Sequence, residues 1–340
     1  MKISKIALAA LALVGAAALG LQATGEERKL TFAERLGYTA DTKVLIIHLD
    51  DLGITQGQND ASLDVLKAGM ARSASVIVTS PLAKEAIEQA REAGFTDLGI
   101  HIALNSEASG PLLFPAAGSR KVWSLTDLDG YLTRHLWKLA SIGKTKHVER
   151  EINEQIKLAR SWGLQPTHLD SHMGTIFFYP NWFFAYLNVA KKQRIPPMIP
   201  RWSENLKKQM GWAARPMGWY VEPLAKAAEK AGHLLLDDLY LIPPPSVDAG
   251  LDARKAQYIE VLRNLKPGVS EIIVHAAYTD RDGQRERVQN FPFDVFRDHE
   301  AKIFQSEEIQ AILREENIKV VGWAEIQKAY PWDQLQDAGW

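Results

Sequence analysis

No cysteine occurs anywhere in the 340 residues. Disulfides, thiolate metal sites and lipid attachment through a thiol are therefore excluded, and any metal must be held by His, Asp or Glu. Net charge is almost as scarce, since 40 basic and 41 acidic residues leave a formal charge of −1. With no long basic stripe either, nucleic acid drops out as a partner. A Gly-x-Gly-x-x-Gly fingerprint and a phosphate loop are also missing, which removes support for a nucleotide cofactor. No internal repeat is evident.

What is present suits a folded body. Hydrophobic residues make up 46% and charged residues 24% of the chain, enough apolar content for a substantial core in one large α/β domain or two smaller ones. Met1-Lys2-Ile3-Ser4-Lys5 is basic, and Ile6 to Leu21 is apolar or small throughout. That is a secretory signal pattern, with a hydrophobic stretch too short for a comfortable membrane span. Ala16-Ala17-Ala18 and Leu21-Gln22-Ala23 offer cleavage ends. The expectation is a signal peptide over residues 1–23 and a secreted or periplasmic body, attached to a membrane only if that segment stays uncleaved. Residues 24–42 read as a linker, 43–328 as a single catalytic domain and 329–340 as a C-terminal tail.

Along the body, strands alternate with helices. Val44 to Ile47 reads as a short buried strand, followed by helical spacing through Leu63, Leu66 and Met70. Ser73 to Thr79 is a second strand, and Ser80-Pro81 then starts a helix that Gly94 closes. Residues 105–130, broken by Gly110-Pro111, Pro115 and Gly118, read as a long loop of the substrate cleft. Val148, Ile152, Ile156 and Ala159 share one helical face, with Glu149, Arg150, Glu151, Glu154 and Lys157 on a solvated one. Phe177 to Ala190 reads as an aromatic core helix, Leu234 to Asp238 as a strand, Leu251 to Leu265 as a helix and Ile318 to Gly322 as a last strand.

Polar groups recur where these strands stop. Asp50-Asp51-Leu52-Gly53 follows the first, and Leu98-Gly99-Ile100-His101, Thr167-His168-Leu169-Asp170-Ser171-His172 and Ile272-Ile273-Val274-His275 end others. Each piece has a plain structural reading: Asp and Gly make turns, and a lone histidine is commonly a satisfied core residue. Asp237 and Asp238 likewise suit a turn or a cap. Trp202, Trp212 and Trp219 could stack on sugar rings or simply fill space. Taken together, side chains from at least four strand ends suit a parallel barrel, whose strand C-termini ring one mouth, better than an open sheet.

The set resembles the YdjC/ChbG family of carbohydrate deacetylases. Leu49-Asp50-Asp51-Leu52-Gly53, Asn59, Leu98-Gly99-Ile100-His101-Ile102-Ala103-Leu104, Thr167-His168-Leu169-Asp170-Ser171-His172 and Val274-His275 carry the likeness, from about residue 43 to 328. It implies a distorted (β/α) barrel, one divalent metal, zinc or magnesium, and removal of an N-acetyl group from an amino sugar or oligosaccharide. By position it implies Asp51, His101 and His172 as metal ligands, Asp50 as general base and His275 as acid. Asp170, His168, Asn59, Arg201 and Asp238 are expected to support the ligands or to touch substrate, and Arg297 with Glu300 resembles a structural family pair.

The chain departs from the family at three places. His48-Leu49 replaces a frequent Asn-Ala, which puts an extra imidazole beside the base. Met173-Gly174-Thr175 replaces further histidines and removes polar groups able to reach substrate, and Ala276-Ala277-Tyr278 follows His275 in place of a His-Pro pair. Two other readings stay open: a metal-dependent phosphoesterase, which would want a second metal or a basic clamp, and a non-catalytic carbohydrate-binding barrel. The expected protein partner is a second copy of the chain, in a homodimer.

Overall fold

The computed structural model describes residues 30–107, 110–211, 214–244, 246, 249–279 and 294–336. The signal-peptide expectation and the stretch Ile6 to Leu21 lie outside these residues. Among the described residues no helix is long and apolar enough to cross a membrane.

A short helix α1 (Phe32–Arg35) precedes β1 (Lys43–Leu52), α2 (Gln56–Lys67), β2 (Ser73–Val76), α3 (Ala83–Glu92) and β3 (Leu98–Ile102). After a long irregular segment come α4 (Leu136–Ile142), α5 (Thr145–Ser161), β4 (Leu169–Ser171), α6 (Pro180–Gln193), α7 (Glu204–Met210) and α8 (Ala214–Lys230). The chain then forms β5 (Asp238–Tyr240), α9 (Leu251–Arg263), β6 (Gly268–Val274), α10 (Asp294–Ile303), α11 (Glu307–Glu315), β7 (Lys319–Val321) and α12 (Trp323–Ala329).

All strand pairings are parallel, in the order β4-β3-β2-β1-β6-β5, with β7 against the first half of β1. Between the two ends of that path lies residues 197–200, which bridge Leu169 of β4 through Pro197 and Leu236, just before β5, through Pro200. Residues with two prolines cannot supply a full ladder, so the ring closes through single bridges and the fold is a distorted (β/α) barrel. β1 is its axis. Leu45, Ile46, Ile47 and Leu49 are wholly buried, as expected of a strand covered on both faces.

Several sequence expectations shift, each for a local reason. β1 runs through Leu52 instead of stopping at Ile47, because its pairing with β2 slips between Leu49 and Leu52 and a bulge lets a strand continue past an irregular step. The helix expected from Pro81 starts at Ala83, since Ser80 Oγ donates to the carbonyl of Ile77 and closes a turn first. The strand expected over Leu234 to Asp238 is displaced: β5 begins at Asp238. The aromatic helix begins at Pro180, its N-terminal proline, after a 3₁₀ segment over His172–Phe178.

Two segments read as peripheral belong to the packed body. Phe32 and Ala33 of the linker range are buried in a cluster with Met198, Trp323 and Ile326. In the tail range, Tyr330 is buried and the Gln336 N–H donates to the carbonyl of Ala231. On α5 the solvated face needs one correction. Glu151 is fully buried, and its carboxylate accepts the backbone N–H groups of Ala116 and Ala117 at 2.8 and 3.0 Å, which pins the long loop over the barrel.

Candidate active site

The Asp pair sits on the β1 bulge. Neighbouring side chains on a regular strand face opposite ways, but Asp51 takes a left-handed backbone conformation, φ 68°. That conformation is uncommon for a residue with a Cβ, and here it lets both carboxylates line one cavity. Gly53 follows at φ 95°, where a Cβ would come within 2.7 Å of Ala83 Cα. Its N–H donates to Asn59 Oδ1 at 2.7 Å. Asn59 therefore fastens the turn under the Asp pair and does not line the cavity.

Three remote segments meet at Asp51. Its Oδ1 lies 3.6 Å from His101 Nε2 and 3.3 Å from His172 Nδ1, and the three ligand atoms lie within 4.8 Å of one another. All three side chains are buried, and Asp51 Oδ1 and His172 Nε2 have no hydrogen-bond partner. Donors about 2.0–2.1 Å from a tetrahedral ion stand roughly 3.3–3.5 Å apart, so these residues fit a divalent cation. The second oxygen, Asp51 Oδ2, is taken by Arg297 Nη1 at 3.0 Å. Arg297 thus reaches the ligand carboxylate directly, a contact that its pairing with Glu300 in the sequence did not signal.

Behind the ligands lies a second polar layer. His101 Nδ1 is 2.9 Å from Asp170 Oδ1, the arrangement that fixes a ligating imidazole's tautomer and orientation. Asp170 Oδ2 accepts from Ser75 Oγ at 2.8 Å and lies 3.1 Å from His48 Nε2. His48 Nε2 is also 3.1 Å from Asp50 Oδ1, so one buried imidazole links the two aspartates. His168 stands 3.4 Å from His48, stacks on Trp323 and rests against Gly99, where a Cβ would come within 2.5 Å of its ring. The glycine in Leu98-Gly99-Ile100-His101 makes room for that ring.

Charge follows this geometry. Burial opposes a charged His101, but Asp170, Asp50 and Asp51 outweigh it and raise its pKa to about 10. Burial likewise opposes charge on His48, and the Asp170 and Asp50 carboxylates hold it well above the ordinary range. His168 is pushed well down, by burial and then by the positive His48. Burial would raise Asp51, yet His172 and Arg297 hold it well below the usual carboxylate value. The buried carboxylates thus favour positive charge beside them, on His48 and His101.

His275 closes the set at the end of β6. Its Nε2 is 4.0 Å from Asp50 Oδ2 and its side chain is 38% exposed, while its backbone N–H donates to Glu300 Oε2 at 2.7 Å. Glu300 is in turn held by Arg254 and Tyr258. Arg201 and Asp238, expected near substrate, are tied elsewhere. Arg201 pairs with Glu229 at 2.7 Å and with Asp237 at 3.3 Å, and Asp238 accepts from Ser203 at 2.6 Å. The cavity instead takes Glu107 from the long loop, and Trp202. Trp219 is 89% exposed, and the side chain of Trp212 lies outside the described residues.

Comparison with known proteins matches this arrangement to a family. Residues 44–315 match the model of YdjC-like proteins. A carbohydrate deacetylase of Thermoanaerobacter pseudethanolicus is 29% identical over 83% of this chain and 98% of its own. One of Thermus thermophilus is 31% identical over 74% of this chain and 83% of its own. Among solved structures, a putative cellobiose-phosphate cleavage protein of Enterococcus faecalis superposes with a TM-score of 0.64 at 22% identity, covering 84% of this chain and 99% of that one. The chain belongs to the YdjC-like family.

Proposed function

We propose that the chain is a metal-dependent amide hydrolase that removes N-acetyl groups from an amino sugar or oligosaccharide. The observation that carries this reading is the meeting of the ligand atoms of Asp51, His101 and His172 within 4.8 Å of one another, with Asp50 and His275 beside them. Relatives named carbohydrate deacetylases support the choice of an acetylated sugar.

Asp51, His101 and His172 would hold one divalent cation. Two imidazoles and one carboxylate are a zinc-type donor set, whereas magnesium prefers oxygen donors throughout. When bound, the ion supplies a Lewis acid for the amide carbonyl and lowers the pKa of the attacking water. The protein's own groups do the rest. Asp50, oriented by His48, accepts the proton of the attacking water. His275, solvent-accessible and held at its backbone by Glu300, gives a proton to the departing amine. Asp170 keeps His101 oriented, and Arg297 occupies the oxygen of Asp51 that faces away from the two histidines.

A phosphoesterase would need a guanidinium or a second metal to grip the phosphoryl oxygens. Arg297 is committed to Asp51, and Arg134 donates to the carbonyls of Glu107 and Gly110. The N-terminal signal pattern supports a secreted or periplasmic setting for the reaction. The test is to incubate the purified protein with acetylated sugars and with aryl phosphates, with and without chelator, and to measure acetate and phosphate. Chelator-sensitive acetate release without phosphate is expected. Phosphate release without acetate would overturn the reading.

A further inference from the structure

The cavity at the barrel mouth, about 380 Å³, is uneven in character. Its titratable groups come from β1, β3, the start of the long loop, the end of β4 and the end of β6. The wall between β4 and β5 is different: Phe177, Phe178, Met198, Leu206, Leu239 and Leu241 face the cavity there. Met210 of α7 and Val221 of α8 extend it. Among the described residues of that wall, only Ser171 and the Trp202 indole carry a polar side-chain atom, and Ser171 Oγ already accepts the N–H of Ile176.

Beyond the face that the Trp202 indole could offer to a sugar ring, such a wall does not suit a sugar's hydroxyls. A pyranose carries an oxygen on nearly every carbon, and pressing those oxygens against methyl and phenyl groups strips their water without replacing it. An alkyl group loses nothing there and gains burial. The segment after His172 adds to the lining. Met173 and Gly174 turn through left-handed conformations, φ 53° and 64°, and both line the cavity next to His172.

Resting on the reading that this site cleaves an N-acylated amino sugar, we infer that its substrate is amphipathic, with an alkyl-like group that lies along the wall between β4 and β5 while the amide sits between Asp50 and His275. The group can be carried on the glycosidic oxygen or as a longer acyl chain. The chemistry of the wall is the same for both.

Two probe series separate them. One is N-acetylglucosamine as methyl, butyl, octyl and dodecyl glycosides; the other is glucosamine N-acylated with acetyl, butanoyl and octanoyl groups. Initial rates of amine release are measured below micelle-forming concentrations. Binding of the deacylated alkyl glucosaminides is measured by calorimetry, because binding needs no turnover. Affinity should climb by up to about fourfold per added methylene, and kcat/KM should rise at least tenfold from the shortest to the best member of one series. A rise along the glycosides puts the group on the glycosidic oxygen, and a rise along the acyl series puts it on the acyl side; either supports the inference. Leu241→Gln and Met210→Gln, at partly exposed positions, should flatten the dependence on chain length. If no substrate is cleaved yet binding still strengthens with chain length, the hydrolytic reading fails and the amphipathic ligand stands. Binding and rates indifferent to chain length in both series, with unsubstituted oligosaccharides cleaved best, would overturn the inference.

Discussion

Arg297 holds Asp51 by its Oδ2, with Nη1 3.0 Å away, while Oδ1 of the same carboxylate faces His101 and His172. Under the proposed function, that one carboxylate would serve a permanent cation, the guanidinium, and an exchangeable one, the metal ion. Replacing the arginine, as in Arg297→Met, leaves a buried carboxylate short of compensation. The metal-free protein should lose about 1–3 kcal/mol of stability. A bound divalent ion restores positive charge at the same carboxylate, so the melting temperature gained on adding zinc should be larger in the variant than in the wild type. Equal zinc-induced shifts in the two proteins would show that Arg297 and the ion do not share Asp51.

Asp50→Asn separates chemistry from metal binding. Asp50 stands outside the Asp51, His101 and His172 group, although with His101 and Asp170 it forms a neighbouring one, and its Oδ2 lies 3.8 Å from His101 Nε2. The amide keeps the shape but cannot take a proton from water. Turnover should fall by about 10²–10⁴-fold while zinc occupancy, measured by metal analysis after dialysis, stays near the wild-type level. His101→Ala should lose both. Near-normal hydrolysis by the Asn variant would remove Asp50 as the base.

How much of this was legible depends on how local each feature is. The residues that converge, Asp50, Asp51, His101, His172 and His275, each end an apolar run, and strand ends of a parallel barrel necessarily share one mouth. That polar strand ends meet there could be read from order and residue type, and which of them form the set followed from the family resemblance. The contact between Arg297 and Asp51 could not, because α10 comes back to β1 across most of the chain and nothing in its own spacing announces that. Glu151 was misread for a related reason. Helical periodicity assigned it to a charged face, but its buried carboxylate satisfies two loop N–H groups that no helical pattern encodes. Arg201 and Asp238 were legible only as polar residues near prolines, and their actual partners, Glu229 and Ser203, follow from the packing of α7 against β5 and of α8 against α7.

Metal binding should displace a proton. In the metal-free site the carboxylates around His101 hold its proton up to about pH 10, and a ligating imidazole must give that proton up. Affinity for zinc should therefore rise with pH through the neutral range, by up to about tenfold per unit for each proton released. Calorimetric titration at pH 7 in two buffers of different ionisation enthalpy measures the protons directly, and at least one is expected. The linkage has a second face. The His101 proton stabilises the metal-free fold fully below its ordinary value of 6.5, and that contribution fades as the pH climbs toward 10. Zinc should thus protect the fold most at alkaline pH. Zero proton release would mean that His101 is not displaced.

Acid should loosen the far side of the molecule through His233. Its Nδ1 lies 2.8 Å from the Tyr330 hydroxyl, joining the end of α8 to the C-terminal segment. With its proton on Nε2, the neutral imidazole accepts a hydrogen bond from that hydroxyl at Nδ1, and a doubly protonated ring cannot. Burial, and then Lys191, lower the His233 pKa from 6.5 to about 4. Between those values the unfolded chain binds a proton that the folded chain refuses, so stability is complete above pH 6.5 and drains away as the pH falls toward 4. The loss is on the order of 3 kcal/mol at the acid end. Carboxylates titrate in part of the same window, so the informative quantity is the difference between proteins. Melting temperatures of wild type and His233→Gln, compared from pH 7.5 to 5, should converge as the pH drops, because only the wild type pays to keep an imidazole neutral. Parallel curves would mean that His233 takes up its proton without disturbing the fold, and the Tyr330 contact would then carry no pH-dependent stability.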